Sequence, residues 1–231
     1  MKSILIIFLF IPFLIYAQSI EDIDQFTFSI CKTLNEPGHK KSDSARLQDA
    51  FNENTPKFAH QFKLVEFSDD LMNKIFLRLQ RNCDEYQKID KRLHPLDPRS
   101  DWQIFDTKPV SKISATECTK FFKKYKEFYY FEANGNQTKV SINDGFWIET
   151  FENGTTSQLY FKKKDCNFEL TFIESNNELR KNFSVTGDSY FYELISIKNE
   201  VMTVIVKGTD GKSFYEFKLY RIDKKNSVQN N

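Results

Sequence analysis

The spacing of apolar residues changes part-way along the chain, and this change constrains the fold more than any other feature. Between residues 20 and 94, apolar side chains recur every three or four positions, which is typical of amphipathic helices. From residue 118 onward they alternate with polar ones, which is typical of half-buried strands. The stretch between is punctuated by prolines and lacks either period. The sequence therefore predicts an α+β protein with a helical domain at 18–94, a linker at 95–117 and a β-domain at 118–222.

The helical half carries enough apolar stripes to form a small bundle. The first stripe begins at Ile20, and Pro37 with Gly38 ends it. Four such helices can bury their apolar faces against one another. The later helices are expected to begin near Ser44, Pro56 and Ser68, the last one running to Leu93.

In the β-domain, Asn-Gly and Asp-Gly pairs separate the apolar runs. Such pairs tolerate positive φ and favour tight hairpins, as at Asn134-Gly135, Asp144-Gly145 and Asn153-Gly154. Consecutive hairpins form an antiparallel meander, and closure into a small barrel removes its exposed edges. The runs predict eight strands, at 121–131, 138–142, 146–151, 156–163, 167–173, 190–197, 201–206 and 214–221.

Four cysteines, Cys31, Cys83, Cys118 and Cys166, allow three disulfide pairings. Cys118 precedes the first predicted strand, and Cys166 lies in the turn between the fourth and fifth. In an antiparallel meander both positions fall at the same end of the barrel, within reach of one disulfide. The sequence therefore predicts the pairs Cys118–Cys166 and Cys31–Cys83, one in each domain. The wide spacing is unlike that of a zinc site.

The segment from Cys118-Thr-Lys-Phe-Phe to Asp165-Cys166-Asn-Phe-Glu-Leu-Thr-Phe resembles the small lipocalin-like β-domains of uncharacterised exported bacterial proteins. The likeness covers about 118–222. The helices upstream, which carry Cys31 and Asn82-Cys83, are similar to the cysteine-bearing helical domains of such proteins. The resemblance implies a lipocalin-like barrel and a location outside the cytoplasm, but a shared fold does not assign an activity.

The first 17 residues have the composition of a secretory signal peptide. Lys2 supplies a positive charge, an apolar run follows from Ile4 to Tyr16, and Ala17 is a small residue at the expected cleavage point. The run is shorter than the roughly 20 residues that a transmembrane helix needs. We therefore expect export to the periplasm or beyond the cell, cleavage after Ala17 and no transmembrane segment in the mature chain. The polar tail 223–231 is expected to be disordered.

Charge and motifs limit the classes of function. The chain carries 33 basic and 32 acidic residues. This balance argues against a nucleic-acid partner, because proteins that bind nucleic acids present a basic patch. The sequence contains neither the H-E-x-x-H pattern of zinc enzymes nor the G-x-S-x-G pattern of serine hydrolases. We expect no metal and no cofactor.

The strongest candidate site lies on the strand that contains Trp147, Glu149 and Phe151. If this face points into the barrel, a carboxylate lies among aromatic rings, where it can hydrogen-bond a ligand head group or act as a general acid. In the competing register Phe146 and Ile148 point inward, and Glu149 lies in solvent.

These observations predict an exported, non-enzymatic module that binds a small apolar ligand or another envelope component. Two alternatives stay open, a hydrolase or isomerase that uses Glu149 and a purely structural envelope protein. A barrel cavity of about 300 Å³ or more with a few convergent polar groups would favour ligand binding. A barrel filled by side chains would favour an interaction or structural role.

Overall fold

A computed structural model describes residues 18–37, 41–209 and 211–222. The predicted signal peptide and the predicted tail lie outside these residues. The described chain forms six helices and nine strands. The helices are α1 (Ile20–Leu34), α2 (Asp43–Phe62), α3 (Asp69–Asn82), α4 (Asp84–Leu93), α5 (Ala115–Lys124) and α6 (Glu178–Phe183). The strands are β1 (Gln103–Phe105), β2 (Glu127–Phe131), β3 (Gln137–Asn143), β4 (Phe146–Phe151), β5 (Thr156–Lys164), β6 (Asn167–Ser175), β7 (Ser189–Lys198), β8 (Val201–Lys207) and β9 (Phe214–Arg221).

Strands β2 to β9 form a closed antiparallel barrel of eight strands. Each strand pairs with the next in the chain, and β9 pairs with both β8 and β2 to close the ring. Residues that alternate along the strands fill the interior, among them Phe128, Val140, Leu170 and Leu219. The predicted α+β fold, with helices before an eight-stranded antiparallel barrel, is therefore confirmed.

The segment 95–117 is more structured than a linker, because it contributes β1 to the barrel wall. One edge of β9 has two partners: β2 pairs with it near Tyr220, and β1 pairs with it from Phe214 to Glu216. Trp102 covers the junction, since its ring stacks on Phe217 at 4.8 Å and its Nε1 donates to the carbonyl oxygen of Phe131 at 2.6 Å. Strand β1 thus completes the wall where β2 and β9 diverge.

The helix α5 closes one end of the barrel, where the sequence predicts the start of a strand at 121. The prediction is wrong there because Ser114 and Glu117 form a capping box that begins a helix: the Ser114 hydroxyl accepts from the Glu117 N–H, and the Glu117 carboxylate accepts from the Ser114 N–H at 2.9 Å. Phe122, on the inner face of α5, is buried and packs against Phe128 and Phe168.

Both predicted disulfides are confirmed. Cys31 and Cys83 join α1 to the junction of α3 and α4, with their Cα atoms 5.6 Å apart. Cys118 and Cys166 lie 5.2 Å apart between their Cα atoms and tie α5 to the β5–β6 turn. The second pairing holds although Cys118 lies on a helix, because that helix lies against the predicted end of the barrel.

The helices of the first half differ in their boundaries from the prediction. α2 continues through Pro56, because its buried positions Ala50, Asn54 and Phe58 keep one face continuous while the proline removes only one backbone donor. The expected long helix from Ser68 is broken at Cys83, whose backbone is extended and whose sulfur accepts from the N–H of Tyr86 at 3.4 Å. The break therefore produces α3 and α4.

We call α1–α4 the helical cap, because they cover the end of the barrel opposite α5. Arg78 on α3 is the main junction: it donates to both carboxylate oxygens of Asp24, at 2.6 and 2.8 Å, and to the carbonyl oxygen of Phe183 on α6 at 2.6 Å. Gln87 on α4 donates to the Thr209 hydroxyl at 2.8 Å. The helix α6 lies between two predicted strands, in a stretch for which the sequence predicts no element. It begins at Asn177, whose side chain accepts a hydrogen bond from the Arg180 N–H.

Candidate functional site

The barrel encloses a cavity of about 450 Å³ at the end that the helical cap covers. It reaches from the middle of the barrel to the surfaces of α3, α4 and α6. Apolar side chains make up most of its wall, among them Leu159, Leu170, Phe172, Leu179 and Phe217. The barrel is therefore filled at the α5 end and hollow at the cap end.

Parallel aromatic rings line one side of this cavity. The rings of Trp147 and Phe168 stack at 5.7 Å, and those of Phe168 and Tyr192 stack at 5.0 Å. Trp147 and Tyr192 border the cavity, whereas Phe168 is buried between them and packs on Phe122 of α5. Because each ring is held by a neighbour, this wall is a rigid surface for a ligand.

A cluster of polar side chains also lines the cavity, where β2, β4 and α6 meet. The Tyr130 hydroxyl donates to Glu149 Oε1 at 2.9 Å and accepts from Arg180 Nη2 at 2.9 Å. The same Nη2 donates to Glu132 Oε1 at 2.6 Å, and Arg180 Nε lies 3.4 Å from Glu149 Oε2. We call Tyr130, Glu132, Glu149 and Arg180 the polar cluster.

Burial shapes the protonation of these groups. Burial first, and the nearby Glu149 second, raise the pKa of Tyr130 well above its usual value and also raise the pKa of Tyr192. Both phenols therefore stay protonated at physiological pH and can donate a hydrogen bond. Burial lowers the pKa of Arg180, but Tyr130, Glu149 and Glu132 outweigh it, so its pKa is raised and the guanidinium remains charged.

Two donors in the cavity wall lack a partner among the residues that the structure describes. Trp147 is 2% exposed, and its buried Nε1 makes no hydrogen bond. Tyr192 lines the cavity, and its hydroxyl makes no hydrogen bond to another described residue. Trp147 Nε1 has almost no accessible surface, so a molecule in the cavity would not reach it. The half-buried Tyr192 remains as a donor on this wall.

The helical cap and α6 both line the cap end of the cavity. Leu77, Asp90 and His94 line it from the cap, and Leu179 with Arg180 lines it from α6. An ion pair between Arg81 and Asp188, at 3.2 Å, crosses the same junction. The helical cap therefore forms part of the cavity wall.

The strand β4 has the register in which Trp147 and Glu149 point inward. Both residues are buried and line the cavity, whereas Phe146 and Ile148 are only half-buried. The competing register, with Phe146 and Ile148 in the barrel, is therefore wrong. Phe151 lies at the end of the strand outside the cavity wall, with the Arg180 guanidinium 5.3 Å above its ring.

Sequence reasoning misses Tyr130, Tyr192 and Arg180. The two tyrosines lie on inward-facing positions of aromatic strands, where alternation alone does not separate a filled core from a cavity wall. Arg180 lies between two predicted strands, and the only local signal is Asn177, a favoured N-cap residue three positions before it. No local pattern could have shown that this short helix carries a cation to Glu149.

Comparisons with known proteins add no family assignment. No family model matches the chain, and no curated protein matches it. Within the described residues there is no group of three or more His, Cys, Asp or Glu side chains placed to hold a metal ion. None of the helices that the structure describes is long and apolar enough to cross a membrane.

Proposed function

We propose that this protein binds a small, mainly apolar ligand inside its barrel. The observation that carries the proposal is the cavity of about 450 Å³ with apolar walls and a few converging polar side chains. Small-molecule sites have volumes of about 300–1,000 Å³ and this same composition. A barrel that served only as a scaffold would be filled, as this one is at the α5 end by Phe122, Phe128 and Phe168.

We further propose that binding takes place without catalysis. Glu149, the carboxylate on which the enzyme alternative depends, accepts a hydrogen bond from Tyr130 and pairs with Arg180. These contacts occupy both of its oxygens within the wall of the cavity. A general acid or base must bring an oxygen within hydrogen-bond reach of the substrate, and here both oxygens of Glu149 face Tyr130 and Arg180. The geometry therefore favours a role for Glu149 in holding the wall and setting its charge.

The proposal includes export and a lipocalin-like ancestry of the barrel. Two disulfides within one small protein favour an oxidising compartment. An antiparallel eight-stranded barrel that encloses a cavity is the architecture of lipocalins. Binding of another envelope component stays a prediction of the sequence.

Native mass spectrometry of protein purified from its own compartment tests the proposal. We expect a small-molecule adduct that organic extraction removes. Leu159→Trp should fill the cavity, because Leu159 lines it, and should abolish the adduct. Tyr160→Trp is the matched control, since the adjacent Tyr160 is 56% exposed on the outer face of the same strand. An adduct that persists in Leu159→Trp, or its absence from the wild type, would contradict the proposed function.

A further inference from the structure

A groove lies outside the barrel, at the end that α5 closes. Its volume is about 650 Å³, within the range of sites that bind small molecules. Three parts of the chain line it: the segment that leads into α5, one face of α5 and the end of β7. We call it the basic groove, because it is lined by Lys112, Lys120, Lys124 and Lys198. None of its lining residues lines the barrel cavity.

The spacing of residues along α5 explains why two of these lysines face the groove. The residues that line the groove from this helix are three or four positions apart, which places them on one helix face: Glu117, Lys120, Phe121 and Lys124. Cys118 and Phe122 lie on a neighbouring face, and their burial against the barrel fixes the rotation of the helix. Like charges one helical turn apart repel, so an anion held between Lys120 and Lys124 would relieve a cost that is built into α5.

The basic groove has an excess of positive charge. Its four lysines are exposed, and none of them forms an ion pair with a residue that the structure describes. By contrast, Lys74 and Lys181 each pair with a carboxylate on their own helix, at 2.7 and 2.5 Å. Glu117 is the one acidic residue in the described lining, and its Oε2 accepts from the N–H and hydroxyl of Ser114 at 2.9 and 2.6 Å. Four lysines and this carboxylate leave a formal charge of +3, in a chain with 33 basic and 32 acidic residues.

The floor of the basic groove is apolar. Ile113, Phe121 and Ile197 line it, and each is buried or half-buried. The half-buried ring of Tyr125 lies beside them, with Lys124 Nζ 4.9 Å and the Arg221 guanidinium 4.7 Å from its centroid. Lysine stems can cover such a surface while their ammonium groups stay in water. The groove therefore combines a cationic rim with an apolar floor.

We propose that the basic groove binds the head group of an anionic phospholipid at a bilayer surface. The phosphate lies among the lysine ammonium groups, which bind it as point charges, and the carbons next to it lie on the apolar floor. Tyrosine, as at position 125, is a residue type enriched at membrane interfaces. A free phosphate would use the rim alone, and a nucleic acid would need a basic stripe longer than one groove. The barrel cavity lies at the other end, so this proposal does not depend on what the cavity holds.

Sedimentation with sucrose-loaded vesicles tests this inference, using protein purified from its own compartment. One set of vesicles contains equal amounts of phosphatidylglycerol and phosphatidylcholine, and the other contains phosphatidylcholine alone. We expect at least about fiftyfold stronger partitioning onto the anionic vesicles at low salt, and loss of most of this preference in about 0.5 M NaCl. The ratio between the two vesicles cancels any apolar contribution from residues 1–17. Equal partitioning onto both vesicles would overturn the proposal.

Substitutions on two elements locate the site. A lysine near an anionic bilayer contributes about a fivefold increase in partitioning, so Lys120→Gln combined with Lys124→Gln should weaken it about 25-fold. Lys198→Gln, on β7, should weaken it about fivefold, which a local fault in α5 would not explain. Lys112 is left unchanged, because it also acts on the carboxylate of Glu216.

The matched control removes the same charge from the helical cap. Lys32→Gln combined with Lys57→Gln replaces two exposed helical lysines of that half and should leave partitioning within about twofold of the wild type. If the α5 double variant partitions as strongly as this control, the basic groove is not the site.

Two soluble competitors distinguish a bilayer from other anions. Glycerol phosphate offers the phosphate without the apolar part, and a short oligothymidylate offers a flexible polyanion. We expect neither to displace the protein from anionic vesicles when added at the same concentration of phosphate groups. Full displacement by glycerol phosphate would make the groove a site for free phosphate esters, and full displacement by the oligothymidylate would make it a site for nucleic acid. Either result would overturn the assignment to a lipid.

Discussion

Removal of the Arg78 side chain tests whether the helical cap and the barrel form one cooperative unit. The side chain is 4% exposed, and its three hydrogen bonds join α1, α3 and α6. Arg78→Ala leaves the Phe183 carbonyl oxygen without this donor and leaves Asp24 without its cation. No other side chain on α3 hydrogen-bonds to both α1 and α6, so the variant weakens the junction directly.

The magnitude follows from how far the two partners are buried. Breaking a buried ion pair by removing one member costs about 3–5 kcal/mol. Asp24 is 33% exposed and keeps a hydrogen bond from Asn82 at 2.9 Å, so water and Asn82 replace part of what is lost. The lost bond to the Phe183 carbonyl adds to the cost. We expect Arg78→Ala to lower the free energy of unfolding by about 2–3 kcal/mol.

Urea denaturation with two probes measures this effect. Both tryptophans, Trp102 and Trp147, lie in the barrel half, so their fluorescence follows the barrel, while far-ultraviolet circular dichroism reports mainly the helices. Arg99→Ala is the control, because Arg99 is 90% exposed and pairs only with its neighbour Asp97. If Arg78→Ala shifts neither transition beyond the Arg99→Ala control, the reasoning about this junction is refuted.

Two further predictions concern acid stability and the segment between the two halves. Burial raises the pKa of Glu85, but hydrogen bonds from Arg46 and Lys88 outweigh it, so the pKa is lowered from 4.5. The stability that ionised Glu85 contributes is therefore fully present above pH 4.5 and is lost as the pH falls through the folded pKa. Glu85→Gln should make the free energy of unfolding depend less on pH in this range. An unchanged pH dependence in this variant would contradict the role of Glu85. Subtilisin should cut first within 106–111, where Val110 is 81% exposed. Cuts in the paired strand β1 should follow later. First cuts inside β4–β6 would argue against this order.

Local chemistry explains which parts of the fold the sequence predicts. Asn134-Gly135 and Asp144-Gly145 adopt the turns expected of them, with positive φ at both glycines, so the order of the hairpins follows from the sequence. The disulfides follow in turn, because strand direction places Cys166 at the end where α5 lies. Ser114 and Glu117 have the spacing of a capping box, and this local signal indicates a helix where alternation alone predicts a strand.

The candidate site was predictable only in part, because its members come from distant elements. The alternation around Trp147 and Glu149 defined two registers, and the choice between them depends on what surrounds β4. Arg180 lies on a short helix between β6 and β7 and contacts Glu149 on β4. The spacing of apolar residues along the chain does not predict a contact between residues so far apart in sequence. A cavity likewise depends on how side chains pack. The sequence around Tyr192 predicts an inward-facing residue but does not show whether it fills the core or lines a cavity.

The pairing of β9 bears on how the barrel is made. β9 is the last strand of the sheet in chain order, yet it pairs with β8, β2 and β1. While the chain is synthesised from its N-terminus, these three strands keep an unpaired edge until residues 214–221 are made. The Cys31–Cys83 pair lies wholly in the segment that emerges first, so the helical cap can be crosslinked while the barrel is still an open sheet. Closure of the wall, and with it of the cavity, is then the final step, and a chain that stalls before β9 exposes its interior apolar face to its neighbours.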